Sequence, residues 1–290
     1  MAEFFQFVIG GLAIGSVYGL VALGFVLIFK STDVFNFAQG DLLMVGGYLL
    51  FTMVATLHLP MIPAILAVLA AGAVIGVLLQ AVVFRSMIGR PLLTVVMVTI
   101  ALSLVIRSVM QIVYGTQERT LPHTIPNDSF AFLGVRISTL DLIVMGITLL
   151  CVAAFALFFK RSKLGLQMRA TAESVEASVL SGIDANRVFL VAFGIGTAIA
   201  ALGGVLMGNL QVVSPQLSSL GLLAFPAAVI GGLTSIPGAV VGGLIIGVTQ
   251  QLATGYISGS AANVVVYGLL MLVLLTRPYG LFGHPTVERV

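Results

Sequence analysis

Residues 188–208 read VFLVAFGIGTAIAALGGVLMG, and the chain then runs on to Thr276 without an Asp, Glu, Lys or Arg. This uncharged stretch, 188 to 276, is 89 residues long. One bilayer crossing takes about 20 apolar residues, so the stretch alone holds three or four passes. Working outward, charge is also absent between Glu3 and Lys30 and between Asp41 and Arg85. Of the 290 residues 59% are hydrophobic and 8% charged, with mean hydropathy +1.18. Soluble domains carry roughly 25% charged residues, so a soluble fold is excluded. The expected class is all-α: a polytopic transmembrane helical bundle, one domain over residues 1–290, with no soluble domain of its own.

The run from Phe4 to Phe29 lacks a basic leader and a polar cleavage region. It also exceeds the about 7–15 apolar residues of a signal-peptide core, so it is expected to stay as a helix. Further helices are predicted over about 42–57, 62–84, 92–114, 141–159, 188–208 and 262–276. Turns fall at His58-Leu59-Pro60 and at Gly89-Arg90-Pro91, and a longer polar connection with Pro122, Pro126 and Asn127 covers 115–140. Residues 209–260 are apolar but broken by Pro215, Pro226 and Pro237. The break at Gly231–Gly238 is expected to divide 222–256 into two short helices or a re-entrant hairpin, which protein or water must cover. The total is about eight spans plus this Gly/Pro-broken region.

The net charge of +3 comes from basic residues at helix ends, a topology signal and not a nucleic-acid surface. Lys160, Arg161, Lys163, Arg169 and Arg187 place 160–187 in the cytoplasm. Counting back, Lys30 and the Arg85/Arg90 loop share that side, while the N-terminus and 115–140 lie outside. Arg277 and Arg289 put the C-terminal end inside, so an odd number of crossings must follow residue 208.

Within 160–187 a short helix is predicted from Arg169 to Leu180, stopped by Gly182. Val175, Val179 and Ile183, at four-residue spacing, give it one apolar stripe. Such a helix docks into a partner's groove or lies on lipid head groups, and the residues alone leave both open. Arg169 and Glu173 stand at i and i+4, placed to pair with each other or with a partner.

The pattern Gly165…Arg169-Ala170…Ala172…Ala177…Gly182-Ile183 resembles the cytoplasmic coupling loop of ABC importer permeases. From about residue 5 onward the chain resembles the branched-chain amino acid permease family of bacterial ABC transporters. Four further motifs carry this, in order: Asn36–Asp41 (NFAQGD), Ala227–Leu233 (AAVIGGL), Ser235–Ala239 (SIPGA) with Gly242-Gly243, and Arg277–Gly283 (RPYGLFG). The resemblance implies a permease in the cell inner membrane that translocates Leu, Ile and Val. Its implied partners are a second related permease, two ATP-binding subunits, a periplasmic substrate-binding protein and membrane lipid, with no nucleic acid. The chain is expected to be no enzyme and to hold no cofactor. It has no GxxxxGK[ST] phosphate loop, so ATP and Mg fall to the ATPase subunits. Gly165, Arg169, Ala170, Glu173, Ala177 and Gly182 are the implied coupling residues. A permease for urea, short amides or other amino acids is the nearest alternative.

Candidate pathway residues are Asn36, Gln39, Asp41, Arg107 and Gln211, with Asn209 and Gln250-Gln251 weaker. Plainer readings stand beside these: Asn36 or Asp33 caps the second helix, and Arg107 snorkels from the fourth helix to the interface. Gln39 stands where the family commonly has His, and Asp41 where Glu is common, so proton sensitivity at position 39 is in doubt. An ion-driven secondary transporter would be expected to carry midplane ionisable groups and inverted repeats; the sequence offers Arg107 and no clear repeat. His58, His123 and His284 have no second ligand at useful spacing, and no nucleophile–base set is visible. Cys151, the single cysteine, reads as a buried inert thiol. Ala200, Gly203, Gly204 and Gly208 read as surfaces for close helix packing.

Overall fold

A hydrocarbon solvent leaves each backbone amide to be satisfied within its own segment, so the apolar runs fold as helices. The computed structural model describes residues 2–122, 128–132 and 135–283. His123, Pro126, Asn127, His284 and Arg289 lie outside them. The helices are α1 Ala2–Thr32, α2 Gln39–Phe51 (prolonged by a π-turn, Thr52–Thr56), α3 Met61–Val82, α4 Leu92–Tyr114, α5 Thr139–Arg161, α6 Lys163–Glu173, α7 Val175–Leu180, α8 Ala185–Leu210, α9 Leu217–Leu222, α10 Ala224–Gly231, α11 Ile236–Tyr256 and α12 Gly259–Thr276. An antiparallel hairpin, β1 Ser129–Phe132 with β2 Val135–Ser138, precedes α5. Among the described residues seven helices are long and apolar enough to cross a membrane: α1, α3, α4, α5, α8, α11 and α12.

The short helices are what position the site. Gln39 Nε2 donates to the Gly196 carbonyl at 3.0 Å, and Gly196 lies near the middle of α8. The non-helical residues 33–38 therefore return from the basic end of α1 to mid-depth, and α2 begins there. From that level α2 runs to the end of α4, where Tyr48 stacks on Tyr114 with centroids 4.7 Å apart and Thr52 Oγ1 lies 2.7 Å from the Tyr114 hydroxyl. α9 and α10 mirror this path. Val213 pairs by both backbone bonds with Arg119 beyond α4. Residues 211–216 then descend, and Ser218 in α9 meets Asp41 in α2. α10 ends beside residues 281–282, whose amides donate to Ile230 and Gly231 at 2.8 and 3.1 Å. Lys30 Nζ donates to the Thr234 carbonyl at 3.2 Å, which fixes the turn after α10 at the basic face.

The order long helix, extended stretch, short helix, long helix, long helix thus occurs twice: α1 to α4, and α8 to α12. The two copies run in opposite senses. α1 and α8 are antiparallel, since Gly24 approaches Gly196 while Val21 meets Gly203. The packing is reciprocal, because α1 lies along α11 while α8 lies along α3. This is the inverted repeat that the residues did not reveal, so its absence is no argument against a secondary transporter. The expected break at 231–238 is real, but only its first arm is short; α11 is a full 21-residue helix. After α8 come two helices of spanning length, α11 and α12, preceded by the shorter apolar pair α9–α10.

The seams are lined by small residues, as in helix packing without a hydrophobic drive between spans. A Cβ on Gly15 would stand 2.8 Å from the Gly243 carbonyl oxygen, and one on Gly243 would collide with the backbone of Gly19. The expected packing role of Gly203, Gly204 and Gly208 holds: each abuts α1, α2 or Val213. Cys151 is half-buried, facing the groove between α3, α5 and α8.

Candidate functional site

A carboxylate and a guanidinium brought out of water need each other and further hydrogen bonds. Asp41, in the first turn of α2, is buried, with its side chain 2% exposed. Its Oδ1 accepts from Arg107 Nε at 3.3 Å and from Ser218 Oγ at 2.6 Å, and its Oδ2 accepts from Ser103 Oγ. Arg107 Nη2 lies 2.6 Å from Ser218 Oγ. The four side chains tie α2, α4 and α9 together where the two short helices meet. Arg107 therefore does not snorkel: it faces the bundle, 66 residues from its counter-ion in sequence. A buried Asp41 offered it a fixed partner, which the interface could not match. Ser103 and Ser218 went unnoticed in the sequence, since serines in apolar helices carry no pattern of their own.

Asn36 and Gln39 adjoin the cluster but do not cap α2 as expected. Asn36 Oδ1 accepts from the Ala38 amide at 3.2 Å, and its Nδ2 donates to Gln39 Oε1 at 3.3 Å. Neither Asn36 nor Asp33 is the cap: Ala38 precedes the helix, with no side-chain capping bond. Both amide side chains are buried; Asn36 serves the interrupted backbone at Ala38, which has no helical partner there, while Gln39 links Asn36 to the Gly196 carbonyl of α8. Beside them Phe25, Phe37 and Phe225 pack ring on ring, with centroids 5.6 and 5.3 Å apart around Phe225. Gln211 follows α8 with an exposed side chain and does not join this group.

The 160–187 loop is built differently from the single helix expected. Ser174 interrupts it with extended backbone, and its Oγ accepts from the Ala177 amide at 3.2 Å, capping α7. Ser competes well for that role. Gly182, at φ 83°, ends α7 as expected, and Ile183 N donates back to Ser178 O at 3.0 Å. Arg169 does not pair with Glu173. Its guanidinium caps the last carbonyls of α5, on Phe159 and Lys160, and lies over the Phe159 ring at 5.5 Å. A helix C-terminus presents unpaired carbonyls and partial negative charge, which draw it there. Gly165 lets α6 fold against the same end: a Cβ there would collide with Phe159 backbone. Ala170 is half-buried, while Glu173 and Ala177 are exposed. Val175, Val179 and Leu180 are exposed too, the last at 89%. Among the described residues no group of His, Cys, Asp and Glu could hold a metal ion.

Crossing helices interrupted around a central polar cluster define the class: a polytopic membrane protein built as many transporters are. A family model described as branched-chain amino acid transport system / permease component matches residues 7–275. The chain is 34% identical to the high-affinity branched-chain amino acid transport system permease protein BraD of Pseudomonas aeruginosa, over 99% of this chain and 98% of that one. It is 32% identical to the corresponding LivH of Escherichia coli K12, over 99% and 98%. It is 27% identical to a probable LivH of Methanocaldococcus jannaschii, over 94% and 91%. No solved structure matches the chain. The chain belongs to the branched-chain amino acid transport system permease family.

Proposed function

We propose that this chain is the membrane-spanning permease subunit of an ABC importer that carries leucine, isoleucine and valine across the cell inner membrane. Two ATP-binding subunits hold ATP and Mg and hydrolyse the nucleotide, a periplasmic binding protein delivers the amino acid, and a second related permease completes the pathway. The observation that carries this reading is α6–α7, in a chain of the permease family. It offers Val175, Val179 and Leu180 unpaired at the basic face. It is also fixed to two spans: Arg169 and Gly165 hold α6 to α5, and Met168 of α6 packs in one buried cluster with Val188 and Ala192 of α8. A push on such an element moves spans. The charge inventory supports the orientation, since Lys30, Arg85, Arg90, Lys160 and Arg277 stand at helix ends on this side.

The test is complementation. A strain lacking its own branched-chain uptake receives this gene with those of its partners. Accumulation of labelled leucine, competed by isoleucine and valine and not by urea, is the expected result. Accumulation of urea without leucine would overturn the substrate assignment.

A further inference from the structure

Arg107 has more donors than the cluster uses. Its Nε serves Asp41 and its Nη2 serves Ser218, while Nη1 has no hydrogen-bond partner among the described residues. Asp41 accepts from three donors and is 2% exposed, whereas the Arg107 side chain is 38% exposed. The guanidinium is thus held on its inner edge and open on its outer one. Arg107 is the sixteenth of the 23 residues of α4, about 10 Å short of the helix end at 1.5 Å per residue. Open donors at that depth cannot face lipid tails; they face water, a ligand or the second permease.

We propose that the outer edge of Arg107 receives the α-carboxylate of the amino acid in passage, with Asp41, Ser103 and Ser218 as positioning residues. This deepens the permease reading and rests on it. The planar fork of Arg matches a carboxylate by two parallel bonds, and that carboxylate is common to leucine, isoleucine and valine. Asp41 does not meet the ammonium group, because its side chain is 2% exposed and covered by Arg107, Ser103 and Ser218. Its charge instead offsets that of Arg107, so the site attracts a carboxylate by directed hydrogen bonds and not by net charge. Such a contact orients the substrate and still lets it leave.

The complete importer in proteoliposomes gives the test, read as leucine moved per ATP hydrolysed. The double variant Asp41→Asn with Arg107→Gln keeps both positions polar and leaves no buried charge unpaired. Its ratio is expected to fall at least tenfold. Arg107→Lys keeps the charge but loses the fork, and its ratio is expected to fall several-fold. A structural defect would lower hydrolysis and transport together and leave the ratio in place. A wild-type ratio in either variant overturns the assignment, and if the double variant does not assemble, Arg107→Lys decides alone. A wild-type complex that moves no leucine would overturn the permease reading itself, and the carboxylate site with it.

Discussion

Removing both members of the Asp41–Arg107 pair should cost less than the sum of removing each alone. Asp41→Ala leaves a guanidinium and two serine hydroxyls without their acceptor. Breaking a buried ion pair from one side costs about 3–5 kcal/mol. Here Arg107 is 38% exposed, so water recovers part of that, and the expected loss is about 3 kcal/mol. Arg107→Ala strands a carboxylate that is 2% exposed, with the Ser103 and Ser218 hydroxyls still attached, and should also cost about 3 kcal/mol. In the double variant neither charge is orphaned, so the total should be about 4 kcal/mol, a coupling near 2 kcal/mol. Unfolding of the purified chain in detergent by added dodecyl sulfate, followed by helix circular dichroism, closes the cycle. Additivity within about 0.5 kcal/mol would refute the pair. So would a harmless Arg107→Ala, the outcome for an arginine that merely snorkels.

Other elements give further expected outcomes. Val179→Asp with Leu180→Asp should abolish co-purification with the ATPase subunits while leaving the unfolding midpoint of this chain unchanged. Gly243→Val should prevent α1 and α11 from closing, read as loss of monodisperse protein, while Gly268→Ala, with open space around its Cβ, should be tolerated. Ser174→Ala should cost α7 its cap, about 1 kcal/mol, seen as faster amide exchange over residues 175–180 alone.

Charge gaps and proline spacing made the long spans legible, and Gly182 marked the end of α7, because these signals are local. The ion pair is not local, but an inventory of acids could have pointed to it. An arginine inside a span needs a carboxylate, and Asp33, Asp41 and Asp141 are the acids that adjoin spans away from the 160–187 loop and the chain's first turn. The inverted repeat left no trace in the residues because what repeats is the sequence of element lengths and directions. The split at Ser174 was hidden by Ala-rich neighbours that favour helix on both sides. Arg169 resembles a docking residue in the sequence because its true partners are backbone carbonyls, which no side-chain pattern announces. Arg169→Glu would therefore disrupt the seating of α6 on α5, and Val179 is the cleaner probe of docking.

The most direct measurement of the central claim is leucine uptake into proteoliposomes holding this chain, the second permease and the ATPases, with the binding protein on the delivery side. Concentrative uptake that requires ATP, persists when ionophores collapse every ion gradient, and vanishes when the ATPases are omitted is the predicted result. Uptake that proceeds without ATPases and stops with the ionophores would contradict it and identify an ion-driven carrier.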